Sequence, residues 1–409
     1  MPESPYPMVS VDEAQQMIMG RVVPLEAEEV DALTADGRVL AHVIQAPLNI
    51  PDVPKAAMDG YALRTDDGLK PRRIVAELTA GTAAGVSLEP GTAVRIMTGA
   101  PMPAGADAML PVELAEEHAG WLTLHHTLQS GHHVHTVGQD AAQGATILPQ
   151  GTVIGTPELG LLATFGLTRV QVYRRPRVAV LATGDEVIEP GLPRPAGAVY
   201  DSNRYALMAA LREAGCEVLS LGIAPDDHAK QREALLYGLE AADVLVTSGG
   251  VSMGSRDLIK PLLAELGTVH FGRIAFKPGK PTTFATVGSK LAFGLPGYPV
   301  SSLVSCEVFV RPALRALQGD PHPWRPRVRV RLSTPIRPSH DRPEYQRVTI
   351  RQEGLHLVAG TTGGQGSSRL MSLLGANGLL LVPPGKAIYP VGTELDALLT
   401  ASFVATKPA

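Results

Sequence analysis

From Arg177 onward the sequence alternates short, continuously apolar runs with amphipathic stretches, and this alternation restricts the fold more than any other feature. The runs Arg177–Leu181, Glu217–Gly222, Asp243–Thr247, Val269–Phe276 and Leu291–Leu295 read as strands. Between and after them, 203–214, 228–240, 258–266 and 300–317 carry apolar residues at helical spacing. Strands apolar on both faces, each followed by a helix, predict a doubly wound, mostly parallel sheet covered on both sides. Ligands of such a sheet sit at the carboxyl ends of its strands.

A chain of 409 residues exceeds one ordinary core, so further domains are expected. Ser10-Val11-Asp12-Glu13 is a capping box opening an N-terminal helix. From Ile74 to Leu128 the pattern turns to short β-rich runs between Gly/Pro turns, and 145–173 returns to a mixed character. These changes predict four regions: a discontinuous mixed domain (1–45 plus 138–175), an inserted β-rich domain (46–137), the α/β sheet domain (176–322) and a C-terminal β-barrel-like domain (323–409). The content is 44% hydrophobic and 19% charged, as in folded soluble proteins. With 4% aromatic residues and a net charge of −4, nucleic acid and anionic membrane are poor partners. No stretch of about 18 apolar residues occurs, and a cytoplasmic location is expected. Cys216 and Cys306 stand alone in apolar helical contexts and read as small buried hydrophobes.

Chemistry gathers at the expected strand ends. Lys277-Pro278-Gly279-Lys280-Pro281 sets two lysines on a short stiff loop, a platform of positive charge. Gly294-Leu295-Pro296-Gly297-Tyr298-Pro299-Val300-Ser301 follows and opens a helix whose first N–H groups are expected to be free for an anion. Together the two segments predict an oxyanion site; either alone reads rather as a solvated surface loop. The other strands end in Thr183-Gly184-Asp185-Glu186, Asp226-Asp227 and Ser248-Gly249-Gly250-Val251-Ser252, with Asp257 beyond. Glu186, Asp227 and Asp257 are hard oxygen donors suited to Mg²⁺, and Ser248-Gly249-Gly250 resembles a backbone cradle for phosphate. The plain alternatives are a helix cap for the Asp pair and a tight turn for Ser-Gly-Gly.

These motifs, with Asp201-Ser202-Asn203, resemble in order and spacing the MoeA family, the molybdopterin molybdenumtransferases that include the large domain of gephyrin. Ala57-Met58-Asp59-Gly60-Tyr61-Ala62 and Met97-Thr98-Gly99-Ala100-Pro101 match two further signatures, so the resemblance spans nearly the whole chain. It implies an elongated homodimer of four-subdomain protomers, with the active site shared between subunits. The implied reaction is the Mg²⁺-dependent insertion of molybdate into adenylylated molybdopterin, releasing AMP. Implied catalytic residues are Asp59, Thr98, Asp140, Lys277 and Lys280. Implied substrate contacts are Asp201, Asn203, Ser248, Gly249, Gly250, Ser252, Pro296, Gly297, Pro299 and Ser301, with Arg347 and Ser367 or Ser368 holding molybdate. Implied partners are a molybdopterin adenylyltransferase and recipient molybdoenzymes.

The chain departs from this pattern at Tyr298, where many relatives carry Asn, and at His132-His133-Val134-His135, where relatives often carry arginines. The histidines, with His118, His125 and His126, do not match a closed zinc motif and read as a solvated hairpin. Competing readings are a nucleotidyl transferase or pyrophosphatase on the same sheet domain, a tungstate-specific homologue and a non-catalytic scaffold. The first is opposed by the Asp59 and Thr98 segments, the last by the clustering of lysines and carboxylates.

Overall fold

The computed structural model describes residues 6–81, 85–251 and 257–402 and the backbone of Val404–Ala405. It comprises two compact units, one of 1–30, 35–41 and 171–409, the other of 31–34 and 42–170. Helix α1 (Val11–Met19) opens the first unit, with the capping box formed as expected: Glu13 N–H donates to Ser10 Oγ at 3.2 Å and Ser10 N–H to Glu13 Oε2 at 2.7 Å.

The second unit is built on a six-stranded sheet formed by β1 (Gly60–Leu63), β2 (Arg72–Leu78), β3 (Thr92–Ile96), β4 (Ala108–Pro111), β5 (Glu116–His118) and β6 (Trp121–Thr123), in the order β4-β1-β3-β2-β6-β5. The strand Thr146–Leu148 returns to pair with Ile44–Gln45, followed by α2 (Thr156–Thr164). The interior strand β1 is buried along its length, and Gly60 within it is required by space: an added Cβ would stand 2.0 Å from Leu110 O.

In the first unit the alternating pattern forms the expected doubly wound sheet. Its strands are β7 (Arg177–Thr183), β8 (Glu217–Ala224), β9 (Val244–Ser248), β10 (Thr268–Phe271), β11 (Thr283–Val287) and β12 (Lys290–Leu295), in the order β8-β7-β9-β12-β11-β10. The first four in that order are mutually parallel. Val178, Val180, Val244 and Val246 face one side, packing with α1, α3 (Ser202–Glu213) and the helical run from α6 (Pro299–Ser305) to Leu317. Ala179, Leu181 and Leu245 face the other, against α4 (His228–Ala241) and α5 (Ile259–Leu266). The period-2 alternation of side chains thus makes two cores from one sheet.

Two details depart from the sequence reading. The expected strand over 269–276 stops at Phe271, and β11 is an additional strand antiparallel to β12. The lysine loop therefore connects β10 to β11; because Thr283 pairs with Gly294, it still lies at the carboxyl end of β12. The helix expected over 300–317 contains a π-turn at Cys306–Val310. Pro312 lacks the N–H that would reach back to the Val308 carbonyl, which instead accepts Gln15 Nε2 at 3.2 Å.

The C-terminal region closes into a five-stranded barrel of β13 (Arg327–Leu332), β14 (Glu344–Glu353), β15 (His356–Thr361), β16 (Gly378–Val382) and β17 (Glu394–Leu399). The order β15-β13-β17-β16-β14 is completed by pairing of β14 with β15, so these strands leave no open edge between them.

Candidate functional site

Connection β7 to β8 runs to one side of the sheet and β9 lies on the other, which makes the carboxyl ends of β7 and β9 a switch point. A cleft of about 680 Å³ opens there. Gly249 and Gly250 form its floor with φ of 97° and 68°. A Cβ on Gly249 would lie 2.8 Å from Thr183 O, and one on Gly250 would lie 2.7 Å from Ile259 Cγ1. Only glycine combines this left-handed backbone with such close approach. Gly249 N–H donates to Leu295 O at 3.0 Å, tying the turn to β12.

The cleft walls hold several expected contacts and rearrange others. Asn203 Nδ2 bridges Ser248 Oγ at 2.8 Å and Gly297 O at 2.7 Å, while its buried Oδ1 has no partner among the described residues. Pro296, Gly297, Pro299 and Ser368 also line the cleft. Asp201 lines it too, but its carboxylate is taken up by α3: it accepts Arg204 N at 3.0 Å and Arg204 Nε at 2.6 Å. Of the expected metal ligands, Glu186 and Asp257 line the cleft. Asp227 does not; it caps α4, accepting Lys230 N–H at 2.9 Å, and its neighbour Asp226 faces the cleft instead. The capping alternative therefore applies to one member of the pair. Ser252 lies outside the described residues.

The helix N-terminus is less open than expected. Pro299 has no N–H, Val300 N–H donates to Ser367 O at 3.1 Å and Ser302 N–H to Tyr298 O at 2.9 Å, with Ser301 buried between them. Nor do the lysines line the cleft; the loop reaches it through Pro281. Lys277 Nζ instead pairs at 3.1 Å with Glu344, which is 3% exposed, and the two backbones bridge through Tyr345 N–H to Lys277 O at 2.7 Å. Lys280, half-buried, holds the loop through its carbonyl, which accepts Ile274 N–H at 2.9 Å. Gly279 allows this path, since a Cβ there would sit 2.5 Å from Ser305 Oγ.

Arg347, three residues beyond Glu344 on β14, is fully buried. Its Nη2 donates to Gly364 O and Gly366 O at 3.3 and 3.2 Å and its Nε to Ser372 Oγ at 3.0 Å. It thereby holds the loop that carries Ser367 and Ser368. Nη1 has no partner among the described residues, nor has the buried Ser302 Oγ. Burial pushes the Arg347 guanidinium below its ordinary pKa, with nearby Glu344 acting in the opposite sense.

The second unit carries its own cleft, of about 430 Å³, lined by Lys55, Thr98, Gly99, His135, Gln139 and Asp140 among others. Thr98 and Asp140 are thus brought together. Asp59 joins them through Thr98, whose N–H and Oγ both donate to Asp59 Oδ1 at 2.7 Å. These two bonds hold the Asp59 carboxyl below the usual carboxylate range. Of the histidine hairpin, His135 reaches this cleft, on a two-residue strand paired with Lys55. Among the described residues no three His, Cys, Asp or Glu side chains form a metal-binding group. Lys55 and Glu344 are not singled out by the sequence, and of the Asp226-Asp227 pair the metal-donor role is given there to Asp227. Asp226 could have been found by noting that the second Asp of the pair occupies the cap position; Lys55 and Glu344 carry no local signal.

Comparison with known proteins places the molecule. Residues 9–166 match the MoeA N-terminal region (domain I and II), 179–316 a probable molybdopterin binding domain and 329–400 the MoeA C-terminal region (domain IV). The class is therefore that of multidomain proteins built around an α/β domain of molybdopterin-binding type. Molybdopterin molybdenumtransferase 2 of Mycobacterium tuberculosis is 35% identical over 402 residues, covering 95% of this chain and 99% of that protein. Gephyrin of Dictyostelium discoideum is 34% identical over 97% of this chain and 63% of its own length. The crystal structure of a molybdopterin biosynthesis MoeA protein from Pyrococcus horikoshii superposes with a TM-score of 0.83 at 29% identity, over 97% of this chain and 100% of that one. The chain belongs to the MoeA family, and it is an enzyme with a role in molybdenum cofactor biosynthesis. No helix among the described residues is long and apolar enough to cross a membrane.

Proposed function

We propose that this enzyme inserts molybdate into adenylylated molybdopterin with the help of Mg²⁺, releasing AMP. The observation that carries this reading is the juxtaposition, in one cleft, of a glycine cradle at Ser248–Gly250 with the carboxylates of Glu186, Asp226 and Asp257. A cradle of backbone amides suits phosphate, but three carboxylates beside a phosphoanhydride would repel it without a cation. The donor set fits Mg²⁺ in kind: all are hard oxygens, and this ion binds through one or two carboxylates and completes its shell with phosphate and water. When bound, Mg²⁺ neutralises charge on the phosphoryl oxygens.

In this reading Ser248 and Gly250 hold the phosphates, Gly249 keeps the turn close against Thr183 with its N–H spent on Leu295 O, and Asn203 fixes the cradle against Gly297. The orphaned donors of Arg347 and Ser302, with Lys277 and Lys280, supply positive and polar groups for molybdate. The loop of Ser367 and Ser368 borders the site, with Ser368 in the cleft wall. Asp59, kept ionised by Thr98, and Asp140 are assigned to the same active site from the partner subunit of a homodimer, where a carboxylate can orient the attacking oxygen. A cytoplasmic setting, supply of substrate by a molybdopterin adenylyltransferase and transfer of the product to molybdoenzymes belong to the same proposal.

The test supplies adenylylated molybdopterin and Mg²⁺, titrates molybdate or tungstate, and follows AMP release together with reconstitution of a cofactor-free molybdoenzyme. AMP release that rises with the oxyanion is the expected result. Its absence, or indifference to the oxyanion, rejects the proposal.

A further inference from the structure

The chain is poor in aromatic residues, yet two exposed tyrosines line the cleft of the first unit. Tyr298 is 62% exposed and Tyr200 44%. Their settings differ. Tyr200 Oη donates to Leu192 O at 3.0 Å, which fixes that ring to its own loop. The Tyr298 side chain has no hydrogen bond or ring contact among the described residues, and it makes no capping bond to the helix it precedes. Its backbone is nevertheless held on both sides: Asn203 Nδ2 donates to Gly297 O at 2.7 Å, and Ser302 N–H donates to Tyr298 O at 2.9 Å. A large apolar ring on a fixed backbone, left uncovered at a cleft, is a preformed stacking surface of low entropic cost. Gly297 beside it lies close to the cradle, its added Cβ only 3.7 Å from Gly249 Cα, so a group stacked on Tyr298 is within reach of a phosphate held there.

We propose that Tyr298 is the stacking platform for a planar, nitrogen-rich heteroaromatic ring joined to the phosphate in the cradle, and so a specificity-determining residue of this enzyme. The inference rests on the functional reading above, whose substrate presents two such rings, adenine and pterin. The hydroxyl plays no part, because the ring face provides the contact.

The experiment measures binding of AMP and of a free pterin, each with Mg²⁺, to the full-length wild-type, Y298F, Y298A and Y298N proteins by calorimetry, with thermal melts to verify folding. Stacking of a base on an aromatic side chain corresponds to roughly 5- to 150-fold in affinity. Y298A and Y298N are expected to lose about tenfold or more for at least one probe, and Y298F to retain wild-type affinity. The probe that loses affinity identifies the ring: AMP for adenine, the pterin for the other end. In turnover, the expected change is a rise in KM with kcat little altered. Affinities within twofold of wild type in Y298A for both probes, an equal loss in Y298F, or wild-type protein that binds neither probe would each overturn the platform. Wild-type protein that binds AMP in a Tyr298-dependent way but releases none from adenylylated molybdopterin would reject the functional reading and leave the platform standing.

Discussion

The pair Asp226-Asp227 allows capping to be separated from chemistry by substitution. Asp227 Oδ1 accepts Lys230 N–H at 2.9 Å and its carbonyl accepts Gln231 N–H at 3.0 Å, so it has both the side-chain and main-chain contacts of an N-cap. Replacing a capping Asp by Ala costs about 1 kcal/mol, whereas Ser caps almost as well and loses only the few tenths contributed by a negative charge at the helix N-terminus. For a unit of this size 1 kcal/mol is about 2–4 °C in Tm. D227A is therefore expected to melt a few degrees below wild type and D227S within about 1 °C of it. Both should keep AMP release within twofold. D226N, which is isosteric, should retain the fold but lose turnover by about 100-fold or more, because charge stabilisation by a bound metal amounts to several kcal/mol at tenfold per 1.4 kcal/mol. The assay is AMP release at saturating molybdate and Mg²⁺, alongside thermal melts of the same preparations. D227S with wild-type Tm but without turnover would refute the assignment and return Asp227 to the metal.

G249A adds a Cβ 2.8 Å from Thr183 O at φ 97°, whereas G197A, at φ 86°, meets nothing within 4 Å. Both carry backbone strain of about 1–3 kcal/mol, but only G249A should also abolish AMP release; equal activities in the two variants would argue against the cradle. T98V removes one of the two donors to Asp59, so the Asp59 carboxyl should rise towards its ordinary value in an NMR titration. Because the native carboxyl is depressed, its stabilising contact is complete above the unfolded carboxyl pKa and is lost as pH falls through the lower folded value. The acid limb of the rate profile should move to higher pH in T98V, and an unmoved limb would separate Asp59 from turnover. Burial pushes Lys260 down to about 8. Between that value and the ordinary lysine pKa the unfolded chain binds more protons, so stability should rise with pH there; K260M should be more stable than wild type at pH 7 and lose the advantage above about pH 10.5. Urea titrations at pH 7 and pH 10.5 would reveal a missing or inverted difference.

The parts legible in the sequence were those controlled by local pattern. The apolar runs of β7, β9 and β12 placed the sheet, because strands buried on both faces admit few polar residues, whereas β8 at the edge is buried only at Ala224. β11 escaped because Thr282 and Thr283 open it with hydroxyls that are satisfied locally, by Gly279 O at 2.7 Å and Pro281 O at 3.2 Å, so a buried strand begins in residues that resemble a turn. The tight turn at Gly249 and Gly250 was legible from two consecutive glycines, whose only common requirement is a backbone that other residues resist. The direction of the carboxylates was not, since Asp226 and Asp227 differ only in which one meets the first turn of α4.

Arg347 shows most clearly why a motif does not disclose a role. In the sequence it is a lone arginine in an alternating strand, equally suited to solvent or to an oxyanion. Its burial requires that its donors be satisfied, and the structure satisfies Nε and Nη2 through Ser372 and the Gly364–Gly366 carbonyls. Those partners come from a loop 17 to 25 residues away in sequence, a closure that no local pattern encodes. The remaining Nη1 has no partner among the described residues. Leaving a buried cationic donor unmade is costly, so a site that retains one is poised for a ligand that can accept from it. The loop contacts are what the fold asks of Arg347, and under the proposed function the same guanidinium that holds Ser367 and Ser368 in place would offer its remaining Nη1 to the oxyanion.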